Sequence, residues 1–196
     1  LTSIGCTSFF PNKSLGCYGE GGAVFTNNKN LFKSLQEIRI HGQKEKYFSN
    51  SIGILGRLDT IQAAILLSKL KLFKKEILLR KKIVNRYISA FSQLDTKNIR
   101  FLNIHQNCKS NYSHFIIISR KRNLIQNELS KINIPSFVYY PYPITRQKPY
   151  RSYYSIENSS NADYLSKNIL SLPTDPYMSK SRQNNIIQII KKYSSF

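Results

Sequence analysis

The sequence predicts a mixed α/β or α+β protein. Short apolar runs typical of strands alternate with longer stretches whose apolar residues recur at helical spacing. All eight glycines lie at or before Gly56, and neither glycine nor proline occurs between Gly56 and Pro135. This change in composition separates a loop-rich first segment from a remainder rich in helices and strands.

The first segment predicts one strand and one helix before a long helical region. Ala23 to Thr26 has the pattern of a short buried strand, and Asn30 to Ile40 that of a helix ended by His41 and Gly42. The polar stretch from Lys44 to Ile54 predicts an irregular loop.

From Leu58 to Leu94 the apolar side chains recur at helical spacing, which predicts one long helix, or two with a bend near Lys74 and Lys75. Beyond a loop that ends at Asn111, the pattern predicts two further strands and three further helices. The strands are Tyr112–Ser119 and Ser136–Tyr140, and the helices are 123–132, 162–170 and 181–193. The prolines between Pro141 and Pro149 exclude that segment from the centre of a sheet.

Composition limits the classes of function. The chain of 196 residues is 41% hydrophobic and carries a formal charge of +20. No apolar run is long enough to span a bilayer and no secretory leader is evident, so we expect a cytoplasmic protein with no membrane partner. Basic residues are spread along the chain, so we expect weak adhesion to polyanions and no specific nucleic-acid site. Three scattered cysteines without a nearby histidine pair predict neither a metal site nor a disulfide framework.

The most distinctive stretch runs from Ser8 to Thr26 and reads SFFPNKSLGCYGEGGAVFT. Its lysine, Lys13, lies among a proline, small residues and glycines, which allow tight turns and close approach of another group. A lysine held in such a turn can attack a carbonyl carbon and form a Schiff base. The alternative is an ordinary surface lysine.

This stretch resembles the cofactor-lysine segment of the DegT/DnrJ/EryC1/StrS family of nucleotide-sugar aminotransferases. Their pattern is S-F-[FH]-P-[ST]-K-x-[LI]-G, followed by G-[DE]-G-G. Ile38 to Gln43 and Ile52 to Leu66 are similar to the family's R-x-H-G-Q and G-x-N-x-R-L-D-T-x-Q-A-A-I-L. The similarity continues through Tyr140-Pro141-x-Pro143 and Leu170–Pro173, and so covers the whole chain.

The resemblance implies the aspartate-aminotransferase-like fold of pyridoxal phosphate (PLP) enzymes, fold type I. Residues 1–75 would be the end of the PLP-binding large domain, with the start of the interdomain helix, and residues 76–196 the C-terminal small domain. Family members carry an N-terminal part about as long as this chain and form homodimers. We therefore expect a truncated product, or a protein whose other half is a separate chain.

The resemblance also implies roles for individual residues. Lys13 would bind PLP covalently and move a proton during transamination, whereas a related dehydratase branch has histidine there. Ser8 would donate to the cofactor phosphate, although a serine at a strand end can also simply cap a turn. Arg57 would reach the neighbouring subunit's site in the dimer, although an ion pair with Asp59 is an equal alternative.

Three positions depart from the family pattern. Tyr139 and Tyr140 occupy the family's H-Y-P segment, which crosses the dimer interface, and Tyr139 replaces its histidine. Leu55 replaces an asparagine that donates to a PLP phosphate, and Asp175 replaces a histidine. A charge-assisted hydrogen bond contributes roughly 1.5–3 kcal/mol, so Leu55 predicts weaker PLP binding.

Three hypotheses for function follow. The first is PLP-dependent transamination of a UDP-linked 3-keto sugar uronate, with glutamate as amino donor, for surface-polysaccharide synthesis. The second is a catalytically inactive remnant that binds a partner subunit, and the third a basic protein associated non-specifically with nucleic acid. We expect no transaminase turnover from the isolated chain.

Overall fold

The computed structural model describes residues 2–94, 98–102, 104–153 and 160–194. The chain divides into two compact units, with the boundary between Lys74 and Lys75. Among the described helices, none combines the length and apolar character needed to cross a membrane.

Unit 1 begins with two short antiparallel strands, β1 (Gly5–Ser8) and β2 (Gly22–Phe25). Their register runs from Gly5 opposite Phe25 to Ser8 opposite Gly22. The strand predicted at Ala23–Thr26 is confirmed with a shift of one residue, whereas β1 was not predicted. Because β1 and β2 pair directly, they bring the two ends of residues 9–21 together.

Helix α1 (Lys29–Ile38) confirms the predicted first helix. Its N-cap is Asn28, whose side chain accepts hydrogen bonds from the amides of Asn30 and Leu31, as expected of an asparagine at this position. The prediction of an irregular loop over Lys44–Ile54 was wrong in part. Strands β3 (Gln43–Glu45) and β4 (Phe48–Ser49) form an antiparallel hairpin there.

Unit 1 exposes much of its apolar surface. Of its described hydrophobic residues, only Cys17 and Leu66 are buried. The exposed apolar side chains include Val24, Phe25, Phe32, Phe48, Ile52, Ile54, Leu55 and Ile61. Soluble monomers rarely leave so many large apolar side chains in water, and such surfaces usually mark contacts with other protein.

Helix α2 (Thr60–Phe91) has 32 residues and continues from unit 1 into unit 2. The absence of glycine and proline allows one unbroken helix, so the prediction of one long helix is confirmed and the alternative of two helices was wrong. The helix begins after Asp59, whose carbonyl accepts from the amide of Ala63. A carboxylate at this end suits the positive end of the helix dipole.

Unit 2 contains a three-stranded antiparallel sheet in the order β5 (Arg100–Phe101), β6 (Phe115–Ile118) and β7 (Ile169–Leu172). Its described residues also form the α-helices α3 (Arg122–Lys131), α4 (Ser160–Asn168) and α5 (Lys180–Ser194), and two short 3-10 helices, Ile144–Arg146 and Lys148–Tyr150. The core joins residues of α2, β6, α3, β7 and α5. Its fully buried members include Val84, Tyr87, Ile117, Ile125, Leu129, Leu170, Ile186 and Ile190.

Three predictions for unit 2 were wrong. The loop predicted to end at Asn111 contains strand β5, which pairs with β6. Ser136–Tyr140 is not a strand but forms a single bridge, between Phe137 and Ser171, next to β7. The flanking Pro135 and Pro141 lack the amide donors that a longer ladder would need. The helix predicted over 162–170 ends at Asn168, because the next residues pair with β6 as strand β7.

Candidate active site

Residues 9–21, here called the lysine loop, connect β1 to β2 and carry Lys13. The amide of Phe9 donates to the Gly21 carbonyl at 2.8 Å, which closes the base of the loop. Within it, the Cys17 amide donates to the Phe9 carbonyl at 2.7 Å and the Lys13 amide to Phe10 at 2.9 Å. Lys13 is exposed. The loop is thus a closed turn that presents an amine to its surroundings.

The inside of the lysine loop is filled by backbone and by Cys17. This cysteine is 0% exposed, and its sulfur lies 3.0 Å from the Phe9 carbonyl oxygen and 3.1 Å from that of Gly19. A Cβ on Gly16 would lie 2.5 Å from the Phe10 carbonyl oxygen. Only glycine fits at position 16 without moving the backbone, so this residue fixes the tightness of the turn.

Two serines of this region carry hydroxyl groups near Lys13 in the sequence. The Oγ of Ser8, at the end of β1, accepts a hydrogen bond of 3.1 Å from the Phe10 amide. This is the turn-capping geometry, and it leaves the hydroxyl proton for another acceptor. The Oγ of Ser14 is buried and has no hydrogen-bond partner in the described parts of the chain. The sequence analysis did not single out Ser14, because no pattern marks an unpartnered hydroxyl.

Helix α2 contacts the lysine loop at two points that the sequence analysis missed. The Tyr18 amide donates to Oε1 of Gln62 at 2.8 Å. The ammonium of Lys69 donates to the Gly16 carbonyl and lies 5.5 Å from the centre of the Tyr18 ring. The only signal for these contacts in the sequence was that Gln62 belongs to the L-D-T-x-Q-A-A motif.

Arg57 lines a cavity elsewhere in unit 1. With the end of α1 and the β3–β4 hairpin it surrounds a cavity of about 410 Å³, whose other lining residues are Ile40, His41, Gln43, Lys44, Glu45, Lys46 and Tyr47. Within the described chain, no ion pair joins Arg57 to Asp59. The guanidinium is exposed beside this cavity.

The turn next to this cavity has an unusual backbone. His41 and Gly42 both have positive φ, 65° and 69°. A Cβ on Gly42 would lie 1.8 Å from the Ser51 carbonyl oxygen, so glycine is required there. Leu55 pairs with Ile40 in an isolated bridge, and its side chain is 63% exposed.

In unit 2, Tyr139 and Tyr140 lie on one wall of another cavity. Tyr139 is half-buried, with its ring centre 4.8 Å from that of His114, whereas Tyr140 is 72% exposed. The peptide bond between the two tyrosines is cis. The cavity measures about 330 Å³, and its lining residues are Leu102, Ile116, Tyr139, Tyr140, Tyr142, Pro143, Ile144, Ala162, Leu165, Ser166 and Ile169.

An ion pair forms between residues that neighbour the lining of this cavity in the sequence. Nε and Nη2 of Arg146 both donate to the carboxylate of Asp163, one to each oxygen. The bidentate contact raises the pKa of Arg146, first through the hydrogen bond and second through the charge of Asp163. The pair connects the Pro143–Ile144 segment to α4.

Asp175, the third departure from the family pattern, is used in a local turn. Its Oδ1 accepts from the Tyr177 amide at 3.0 Å. The Tyr177 hydroxyl in turn donates to Glu76 at 3.0 Å, and this hydrogen bond raises the pKa of Tyr177. Across the described ranges, no cluster of three or more histidine, cysteine, aspartate or glutamate side chains could hold a metal.

These features match a known family. Residues 1–191 fit the sequence profile of the DegT/DnrJ/EryC1/StrS aminotransferase family. The chain belongs to this family, and the resemblance found in the sequence is confirmed.

Comparison with individual proteins supports the same assignment. A UDP-2-acetamido-2-deoxy-3-oxo-D-glucuronate aminotransferase from Pseudomonas aeruginosa is 37% identical over 180 residues, which are 91% of this chain and 48% of that protein. A family aminotransferase from Brucella abortus superposes with a TM-score of 0.90 at 35% identity, covering 99% of this chain and 52% of that one. The PLP form of a proposed sugar aminotransferase from Streptococcus pneumoniae superposes with a TM-score of 0.86 at 25% identity. The match covers 98% of this chain and 52% of that one.

The expected fold is therefore confirmed: the chain has the mixed α/β architecture of about half of each of these aminotransferases. It spans about half the length of the curated relatives that it matches.

Proposed function

We propose that this chain is the lysine-bearing half of a PLP-dependent aminotransferase that transfers an amino group to a UDP-linked keto sugar. The amino donor is glutamate, and the product enters surface-polysaccharide synthesis in the cytoplasm. The observation that carries the proposal is the lysine loop, a closed turn in a member of this family that leaves the Lys13 amine exposed.

The residues of the lysine loop fit PLP by their chemistry. Lys13 offers an amine for the aldehyde of the cofactor, and Ser8 has a hydroxyl proton free for a phosphate oxygen. The buried, unpartnered hydroxyl of Ser14 is a second donor close in sequence. When bound, PLP supplies the electron sink that stabilises the substrate carbanion. Lys13 would hold the cofactor through its Nζ amine, and the same amine would carry a proton when it is free.

Residues distant from the lysine loop account for substrate binding in this proposal. Arg57 offers a guanidinium, which can pair with two oxygens of a carboxylate or phosphate. Tyr139 and Tyr140 add ring faces and hydroxyl groups. In a homodimer these three residues act in the partner's site, and an N-terminal half like that of the relatives completes each subunit.

The substrate class rests on similarity to named relatives. The Pseudomonas aeruginosa protein acts, by its name, on a UDP-linked 3-oxo sugar uronate. A relative from Acidithiobacillus ferrooxidans, 29% identical over 193 residues, is named for a UDP-linked 3-dehydro amino sugar. We infer a UDP-linked 3-keto sugar for this chain as well.

The test is reductive trapping. The full chain is mixed with PLP, with and without the N-terminal half of the Pseudomonas aeruginosa relative, and borohydride then fixes the cofactor to the lysine that carries it. We expect the label on Lys13 and its loss in Lys13→Ala, whereas Lys71→Ala, which removes an exposed lysine of α2, retains it. Absence of label on Lys13 in both mixtures would refute the proposal.

Turnover is measured with glutamate and a UDP-linked 3-keto sugar. We expect none from the isolated chain, since the family's N-terminal half supplies further cofactor contacts. Measurable amination by the isolated chain would overturn that requirement.

One observation favours a second function, that of an inactive partner-binding subunit. Leu55 exposes an apolar side chain where the family pattern has a hydrogen-bond donor to the cofactor phosphate. Retained binding to the complementary half without any label on Lys13 would favour this second function.

A further inference from the structure

The lysine loop is attached to helix α2 by two hydrogen bonds, both to its backbone. We propose that Gln62 and Lys69 are positioning residues, which hold the loop in place on α2 and thereby preorganise Lys13 for its cofactor. This inference rests on the proposed function, because positioning matters only if Lys13 is the reacting amine.

The two residues belong to one face of α2. Within α2, Gln62, Leu66 and Lys69 follow one another at intervals of four and three residues, which places them in one stripe along the helix, whereas Leu58 lies just before the helix begins. Leu66 is buried, and the Leu58 side chain would lie 3.1 Å from a Cβ on Gly21. Leu58 thus lies beside the end of the loop at Gly21, while Gln62 and Lys69 bond to the loop itself.

The bonded positions determine which part of the loop is held. Gln62 accepts from the Tyr18 amide and Lys69 donates to the Gly16 carbonyl, so both contacts hold the segment from Gly16 to Tyr18. Because the contacts are to backbone atoms, they fix the path of the chain whatever side chains it carries.

Internal bonds transmit this restraint to Lys13. Cys17 lies between the two held positions, and its amide and sulfur both contact the Phe9 carbonyl oxygen. The next residue after Phe9 is Phe10, whose carbonyl accepts a hydrogen bond from the Lys13 amide. Gly16 packs against this Phe10 carbonyl as well. A loop that is already ordered does not have to be ordered when the cofactor binds, and this strengthens binding.

The test uses the full chain and two measurements. Amide hydrogen exchange reports on the Tyr18 amide, and the PLP concentration needed for half-maximal borohydride labelling of Lys13 reports on preorganisation. In Gln62→Leu we expect exchange about fivefold faster in the segment from Gly16 to Tyr18, and a half-maximal concentration about fivefold higher, which is the factor that one lost neutral hydrogen bond produces. In Lys69→Met the lost bond is donated by an ammonium, so we expect both changes to be about tenfold or more.

Conservative and distant variants are the controls. Gln62→Glu keeps an oxygen acceptor and Lys69→Arg keeps a cationic donor, so both should lie within about twofold of the unchanged chain. Gln36→Leu on α1 and Lys71→Met on α2 make the same chemical changes at exposed positions and should have no effect. Circular dichroism of each variant verifies that the helices form.

The outcomes separate this inference from the proposed function. Faster exchange with unchanged labelling of Lys13 would overturn the positioning role, as would conservative variants as impaired as Gln62→Leu and Lys69→Met. Absence of Lys13 label in the unchanged chain, also with the complementary half present, would overturn the proposed function and this inference with it.

Discussion

Replacing the buried Tyr87 with phenylalanine should destabilise the protein at neutral pH and stabilise it in alkali. Tyr87 is 0% exposed, and its ring stacks on Phe115 and Phe91 at 5.3 and 5.7 Å. Its hydroxyl donates to the Pro173 carbonyl at 3.1 Å. Tyr87→Phe keeps the ring packing and removes one hydrogen bond, which costs about 1 kcal/mol.

The pH dependence follows from the phenol. Burial raises the pKa of Tyr87, with a small opposing effect from the charge of Arg86. The pKa of Tyr87 is higher in the folded state than its value of about 10 in the unfolded state. The stabilisation that the tyrosine hydroxyl contributes to the folded state is therefore complete below about pH 10 and is lost as the pH rises above it. The loss is about 1.4 kcal/mol per pH unit once the unfolded chain is ionised. The unchanged chain and Tyr87→Phe should therefore have equal free energies of unfolding at about pH 10.6, and above this pH the variant is the more stable.

The assay is urea unfolding of the full chain, followed by far-ultraviolet circular dichroism between pH 7 and about pH 11. Phe91→Leu is the matched control, because it changes the same ring stack without an ionisable group and its destabilisation should not depend on pH. If the difference in free energy of unfolding between the unchanged chain and Tyr87→Phe kept its neutral-pH value over this whole pH range, the reasoning would be refuted.

Three further predictions concern the site and the charge of the chain. Gly16→Ala should destabilise the lysine loop by about 1–3 kcal/mol, because its Cβ would overlap the Phe10 carbonyl. Proteolytic cleavage within residues 9–21 should then increase and labelling of Lys13 decrease, whereas Gly5→Ala, where a Cβ meets nothing within 4 Å, should change neither. Leu55→Asn should strengthen PLP binding in the assembly with the complementary half about tenfold or more, and equal dissociation constants would contradict the role assigned to this position. Binding to heparin and to unrelated duplex DNAs should weaken steeply and equally with salt, and a preference for one DNA sequence would contradict the assignment of the +20 charge to non-specific adhesion.

Local sequence patterns were sufficient where an element depends on its own residues. Helix α2 was predicted over 58–94 and is observed over Thr60–Phe91, because the stretch has apolar side chains at helical spacing and no helix breaker. Lys13 could likewise be assigned to a turn, since glycines and a proline mark such turns in the sequence, whereas Ser8 was singled out by the family resemblance.

Elements that depend on distant partners were missed. The first two residues of strand β7 were assigned to the end of a helix, because their strand conformation comes from pairing with β6, more than 50 residues earlier. The bond from Gln62 to the Tyr18 amide spans 44 residues, and no local pattern distinguishes a glutamine that accepts from a backbone amide from one in water. The hairpin β3–β4 was overlooked because its strands are short and polar.

The many apolar side chains that unit 1 leaves in water coexist with a strong excess of positive charge. At low ionic strength, mutual repulsion keeps copies of the chain apart. Added salt shortens the range of that repulsion but leaves the attraction between apolar surfaces in force. Salt should therefore release the chain from polyanions and at the same time promote clustering of the chain with itself, so low-salt buffers containing the complementary half suit its handling best.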